Sequence, residues 1–164
     1  MKRIAIVLLG VLILYRFLMP GQEQIEMTVD MKNADVPQFS VEPVFGGEAF
    51  SQSDLDKVSL ISFVSIYCGH CHRQHEMMAR QKLPATTYLV FIDKDNAEVK
   101  KWLDANKKDY YKEAFIANEA MLDGFSIYFT PVTFVVKDGK IVKRYNGYLD
   151  EKRLAQAEAD IKGE

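Results

Sequence analysis

Residues 58–71 read Val-Ser-Leu-Ile-Ser-Phe-Val-Ser-Ile-Tyr-Cys-Gly-His-Cys, and residues 72–83 continue His-Arg-Gln-His-Glu-Met-Met-Ala-Arg-Gln-Lys-Leu before Pro84. The β-branched and aromatic residues of 58–67, interleaved with small serines, suit a strand buried on both faces. The stretch after Cys71 consists of good helix formers, and Pro84 stops it. Cys68 and Cys71 therefore stand where a strand hands over to a helix. A cross-link between cysteines two residues apart closes a short loop and stabilises little, because the entropic gain grows with loop length. Two cysteines are also too few for a disulfide scaffold. Such a pair points to chemistry.

On the C-terminal side, residues 88–93 read as a second buried strand. Residues 96–106 read as an amphipathic helix with Val99, Trp102 and Leu103 on its apolar side. A further helix is expected over 112–122, ended by Gly124. Residues 133–137 and 140–145 flank Asp138-Gly139, a strong hairpin signal, and a closing helix over 150–161 takes Asp150 as its cap. On the N-terminal side, residues 41–45 suit a short strand and Gly46-Gly47 a turn into 48–50. Residues 51–56 suit a turn or short helix capped by Ser51 or Ser53. The order of elements implies an α/β domain with a mixed central sheet and helices on both faces, beginning near Gln38 and running to residue 164.

Ahead of that domain, residues 21–37 are polar and lack sustained periodicity, as a linker would. Residues 1–20 differ again: Lys2 and Arg3 precede an apolar run over 4–14 that continues through Arg16 to Pro20. An apolar stretch of about 16 residues, 4–19, is just short of the usual 17–25 for a spanning helix, and Arg16 can snorkel to the headgroups. A cleaved signal peptide is the rival reading, but no small-x-small cleavage pattern follows Leu18. We expect an uncleaved signal-anchor, with the basic start in the cytoplasm and the rest exported. A buried core helix fits poorly, since no polar face interrupts 4–14.

Composition narrows the function. A formal net charge of −2 offers no basic patch for nucleic acid, and 48% hydrophobic with 27% charged residues describes a globular rather than a disordered chain. Disulfide exchange needs a thiolate, and a free cysteine with pKa about 8.5 is mostly protonated at neutral pH. Cys68 at a helix N-terminus meets unpaired N–H groups and the positive dipole end, both of which favour the anion. His70, between the cysteines, can add a hydrogen bond or a positive charge. Stabilising the thiolate stabilises the reduced form and raises the reduction potential. Cys68 is then the nucleophile, and Cys71, one helical turn on, the more buried resolving thiol.

Two other chemistries use the same residues. Cys68-Gly69-His70-Cys71-His72 satisfies Cys-x-x-Cys-His, the c-type haem attachment signal, although a cytochrome would place it in a helical domain rather than after a buried strand. Cys68, Cys71, His72 and His75 have the residue types of a zinc set, yet His72 and His75 are more simply solvated helix residues. The expectation is no metal and no bound cofactor.

Strand, Cys68-Gly69-His70-Cys71, helix, then Thr130-Pro131 and a hairpin about sixty residues on resemble the thioredoxin fold over residues 38–163. The anchor, the extra β segment before Val58 and the Thr-Pro pair are similar to the TlpA-like and DsbE-like tethered thioredoxins of bacterial envelopes. Cys-Gly-His-Cys itself resembles the protein disulfide isomerase motif. The resemblance implies that Thr130-Pro131 is the family's cis-proline, facing the cysteine pair, and that Tyr67, Gly69, Thr130 and Pro131 contact substrate. It implies protein thiol and disulfide substrates, a redox partner protein, and a single-pass location in a bacterial inner membrane with the catalytic domain in the periplasm. A reductase or isomerase is expected, with a disulfide-forming oxidase as the alternative. Three positions depart from the pattern: Tyr67 replaces Trp, Ser62 a buried Asp, and Gln74 a Glu. They leave the proton acceptor for Cys71 unassigned, with His75 and Glu76 read as surface residues.

Overall fold

The structure, a computed structural model, describes residues 31–163; the apolar run over 4–19 and its cleavage or anchoring lie outside them. The first elements are a two-residue antiparallel ribbon, β1 (Ser40–Val41) against β2 (Phe50–Ser51), and a 3₁₀ turn Gln52–Asp54 for which Ser51 is the N-cap. The strand expected over 41–45 is thus shorter and shifted. Beyond Val41 the chain touches the main sheet through an isolated bridge from Pro43 to Phe115.

The main sheet is built on β3 (Val58–Val64), which is buried from Ser59 onward on both faces, as its unbroken apolar run requires. Helix α1 (Gly69–Arg80) leads to β4 (Thr86–Phe91), parallel to β3, and α2 (Asn96–Ala105) leads to β5 (Glu113–Ile116), parallel to β4. After α3 (Glu119–Gly124), the hairpin β6 (Val132–Lys137) and β7 (Lys140–Asn146) adds two antiparallel strands on the other side of β3. The strand order is β5-β4-β3-β6-β7, and α4 (Glu151–Lys162) closes the chain. Asp138 and Gly139 both take positive φ at the hairpin tip, and the Asp150 side chain accepts from the Arg153 N–H as the cap of α4.

Alternation along β3 divides the core. Ile61 and Phe63 pack with Tyr88, Val90, Phe115, Phe134 and the α3 residue Met121 on one face. Leu60 and Val64 point to the other face, where Met78 of α1, Val99 and Leu103 of α2, and Leu154, Ala157 and Ile161 of α4 cover the sheet. Helices therefore lie on both faces, and α1 begins beyond the C-terminal end of the central strand β3, with the cysteines at its N-cap and first turn.

Two stretches differ from expectation. The helix expected over 112–122 is a strand followed by a short helix: β5 pairs with β4, placing Ala114 in one core and Phe115 in the other, and Asn118 caps α3. Helix-favouring Lys, Glu and Ala are overridden there by the open edge of β4, which offers a full hydrogen-bond ladder. Residues 31–37, within the stretch expected as linker, hydrogen-bond to the hairpin through Asn33 N–H to Ile141 O, Val36 N–H to Gly139 O and Ile141 N–H to Ala34 O. Val36 is buried in the core beside Phe39. Among the described residues no helix is long and apolar enough to cross a membrane.

Candidate active site

Beyond Val64 the chain makes a short turn whose shape is held from outside. The Asp93 carboxylate, at the end of β4, accepts from Ser65 Oγ (2.9 Å) and from the Ile66 N–H (3.0 Å). Within the turn the Cys68 N–H donates to Ser65 O, and from α1 the His72 Nε2–H donates to the Ile66 carbonyl at 2.7 Å. The Tyr67 hydroxyl reaches out to Glu98 at the start of α2. Strand β3, strand β4 and helix α1 thus converge on four residues and fix where Cys68 emerges.

Cys68 is the N-cap of α1. Its Sγ accepts the Cys71 N–H at 3.1 Å, taking the place that a serine or aspartate oxygen takes at an ordinary helix start. Cys68 and Cys71 form a disulfide with Cα atoms 5.1 Å apart, inside the 4.4–6.8 Å span such bonds use. Cys68 is partly exposed, whereas Cys71 is 3% exposed. The Thr130–Pro131 peptide bond is cis, and the Thr130 carbonyl oxygen lies 3.7 Å from Cys68 Sγ. Tyr67, Tyr128 and Phe129 are exposed around this edge. His70 is exposed on the first turn of α1, its ring 6.2 Å from that of Tyr148.

Beneath Cys71 the interior is polar but uncharged. Gln74 is buried; its Nε2 donates to Ser62 Oγ (3.0 Å) and Thr133 Oγ1 (3.1 Å), and its Oε1 accepts the Leu149 N–H (3.0 Å). Ser62 and Thr133 face one another across β3 and β6 and share a further hydrogen bond at 3.1 Å. The amide is the right group for this place, since it supplies two donors and one acceptor to three fixed partners without burying a charge.

His75, expected on the surface, is buried at 5% exposure, because residues 106–111 fold back over α1. Its Nε2 lies 2.8 Å from the Asn106 carbonyl, which can only accept, so Nε2 carries a hydrogen. In the neutral ring Nδ1 then accepts from the Tyr110 hydroxyl, 2.7 Å away. Burial holds the His75 pKa below its ordinary value, and burial pushes the Tyr110 phenol up. A histidine that is harder to protonate when folded favours unfolding once it charges. The stability it contributes is complete above about pH 6.5 and falls as pH drops below that. Urea midpoints at pH 7.5 and 5.5 should accordingly drop further in the wild type than in His75→Asn, and equal drops would show that His75 does not titrate with unfolding. Glu76, by contrast, is exposed as expected and pairs with Lys108 at 3.0 Å.

The profile of the thioredoxin-like domain family matches residues 52–162, two-thirds of the chain. The chain belongs to the thioredoxin-like family. Solved structures similar to this thioredoxin-like domain include the thioredoxin domain of a thiol-disulfide oxidoreductase from Bacteroides vulgatus, 18% identical with a TM-score of 0.66, covering 79% of this chain and 97% of that one. A thio-disulfide isomerase from Thermus thermophilus is 18% identical, with a TM-score of 0.64 and 77% and 93% covered. A thiol:disulfide interchange protein from a Bacteroides species is 17% identical, with a TM-score of 0.63 and 78% and 88% covered. At these identities the likeness is one of fold. No curated relative matches in sequence.

The thioredoxin-like domain brings Cys68, Gly69, Cys71, Thr130 and Pro131 to one edge, with Tyr67 and His70 beside them. It does not assemble the zinc set: His75 spends both ring nitrogens on Asn106 and Tyr110, and His72 is held by Ile66. Among the described residues no three histidine, cysteine or acidic side chains gather as metal ligands. The Cys-x-x-Cys-His signal follows a buried strand rather than opening a helical domain, and His72 Nε2 lies on the Ile66 carbonyl. Asp93, Thr133 and Tyr110 carry no marked spacing from the cysteines, whereas Gln74 stands out in the sequence as a departure from the family pattern and His75 as a zinc candidate and surface residue, neither for the bonds it makes here.

Proposed function

We propose that the domain is a thiol:disulfide oxidoreductase that exchanges disulfides with protein substrates through Cys68 and Cys71, with no bound cofactor. The observation that carries this is the position of Cys68 Sγ: partly exposed, at the N-terminus of α1, and already accepting a helix N–H. A thiolate there gains a hydrogen bond and the positive end of the helix dipole. His70 on the same turn adds positive charge when protonated. In the reducing direction the Cys68 thiolate attacks one sulfur of a substrate disulfide, and the other sulfur leaves as a thiolate. Cys71, deprotonated, then attacks Cys68 Sγ, the substrate's second thiolate departs, and the Cys68–Cys71 disulfide remains for a redox partner protein to reduce. The oxidising direction is the same path reversed.

The substrate approaches over Thr130 and Pro131, where the carbonyl beside Cys68 offers a main-chain contact and the exposed rings of Tyr67 and Phe129 offer apolar ones. Gly69 keeps the approach open, since nothing lies within 4 Å of where its side chain would be. We read the direction as reductase or isomerase, on the resemblance of the Thr-Pro pair to the tethered reductases and of Cys-Gly-His-Cys to isomerases. The apolar run over 4–19 supports tethering to a bacterial inner membrane with this domain in the periplasm. Insulin reduction by the purified protein tests the chemistry: turnover is expected in the wild type and loss to background in Cys68→Ser. Activity surviving in that variant would overturn the redox assignment.

A further inference from the structure

Cys71 must lose a proton before it can displace a substrate from Cys68, yet it is buried and its polar neighbours are neutral. Ser62, Gln74 and Thr133 spend their polar groups on one another and on Leu149, and an amide takes no proton at physiological pH. A small cavity touches Cys71, Ser62, Gln74, His75, Trp102 and Tyr110; its volume of about 10 Å³ is the space one water molecule needs. Besides Cys71, the titratable groups on its wall are Tyr110 and His75. His75 follows Cys71 by one helical turn on the same face of α1; with Nε2–H fixed on the Asn106 carbonyl, the neutral ring has Nδ1 free of hydrogen and facing the Tyr110 hydroxyl.

We propose that His75, acting through Tyr110, is the proton acceptor for Cys71. The inference rests on the disulfide-exchange reading. The Cys71 S–H proton passes, across a water in the cavity, to the Tyr110 oxygen as the Tyr110 hydroxyl proton moves to His75 Nδ1. The Cys71 thiolate attacks Cys68 Sγ of the mixed disulfide, the bond between Cys68 and the substrate sulfur breaks, and the electron pair leaves with the substrate. The departing thiolate takes a proton from solvent, and the imidazolium returns one to solvent, so no proton is gained or lost overall. The imidazolium keeps both partners, with Nε2–H on Asn106 O and Nδ1–H on Tyr110. Glu76 and Lys108 pair beside it, His72 precedes it by one turn, and Trp102 and Tyr111 close the pocket.

An internal acceptor has a distinct pH signature. Transfer from thiol to neutral histidine does not depend on pH while the histidine is neutral, so release should be level above the His75 pKa and fall tenfold per pH unit below it. Without the acceptor, release follows the bulk thiolate fraction and rises tenfold per pH unit throughout. The probe is 5,5′-dithiobis(2-nitrobenzoate) mixed with the reduced protein in a stopped-flow instrument between pH 5 and 8. The first nitrothiobenzoate reports attack by Cys68 and the second reports release by Cys71. The wild type should show the level region in the second phase. His75→Asn, which keeps an acceptor oxygen for Tyr110, and Tyr110→Phe should both lose it, and be about a hundredfold slower at pH 7. If His75→Asn does not fold, the wild type and Tyr110→Phe decide. Unit slope in the wild type, or a level region kept by either folded variant, would overturn the proposal. A first phase that is absent, or that survives in Cys68→Ser, would instead sink the exchange reading itself.

Discussion

A Cys71→Ser variant should accumulate covalently joined to its substrate through Cys68. The second step of exchange is intramolecular: the Cys71 sulfur is held against Cys68 by one turn of α1, with the Cys71 N–H already bonded to that sulfur. Holding two reacting groups in place is worth effective molarities of about 10⁵ M and upward. Serine cannot attack a disulfide, so release would then depend on free thiols at millimolar concentration or less. The mixed disulfide should live at least about a thousandfold longer than in the wild type. Non-reducing electrophoresis and intact mass of the variant mixed with a disulfide-bonded protein would show it. The expected adduct forms on Cys71→Ser and not on Cys68→Ser. Adducts forming faster on Cys68→Ser would reverse the two roles, which the difference in exposure argues against.

Gln74→Leu should destabilise the fold by about 2–4 kcal/mol, although the two side chains are similar in size. The Leu149 N–H, buried with its residue, loses its acceptor, and Ser62 and Thr133 lose a donor each while keeping one another. A buried donor left without a partner costs about 1–3 kcal/mol, and the two lost side-chain bonds add to that. In a domain this size the midpoint of thermal unfolding should drop by roughly 10 °C. Thermal or urea unfolding of the two proteins checks it, and a change within about 0.5 kcal/mol would mean that the network is incidental to stability.

Gln74 also marks where sequence reading stopped. Strand β3 was legible because its residues are apolar on both faces, and the hairpin and α4 because Asp138-Gly139 and Asp150 are local signals that need no partner. The same locality explains Cys68 and Cys71, since strand, cap and helix are contiguous. Residues 113–116 were misread because Glu and Ala favour a helix by themselves, and only the edge of β4 makes them a strand. His75 was misread for a similar reason: its burial depends on Asn106 and Tyr110, more than thirty residues away, in a loop that periodicity does not place. Ser62, Gln74 and Thr133 stood out as departures from a family pattern or not at all. Their mutual bonds connect β3, α1 and β6, so the fold had to be known first.

Reversible exchange between dithiol and disulfide at Cys68 and Cys71 is the central claim, and a redox titration of the purified protein against glutathione tests it most directly. Alkylation and mass measurement at each glutathione ratio give the fraction oxidised. We expect one reversible two-electron transition, absent from Cys68→Ser, with a potential between about −180 and −270 mV, the span from isomerase to thioredoxin. A value near about −120 mV, where strong oxidants lie, would contradict the reductase or isomerase reading. No reversible transition, or one that persists in Cys68→Ser, would contradict the exchange chemistry altogether.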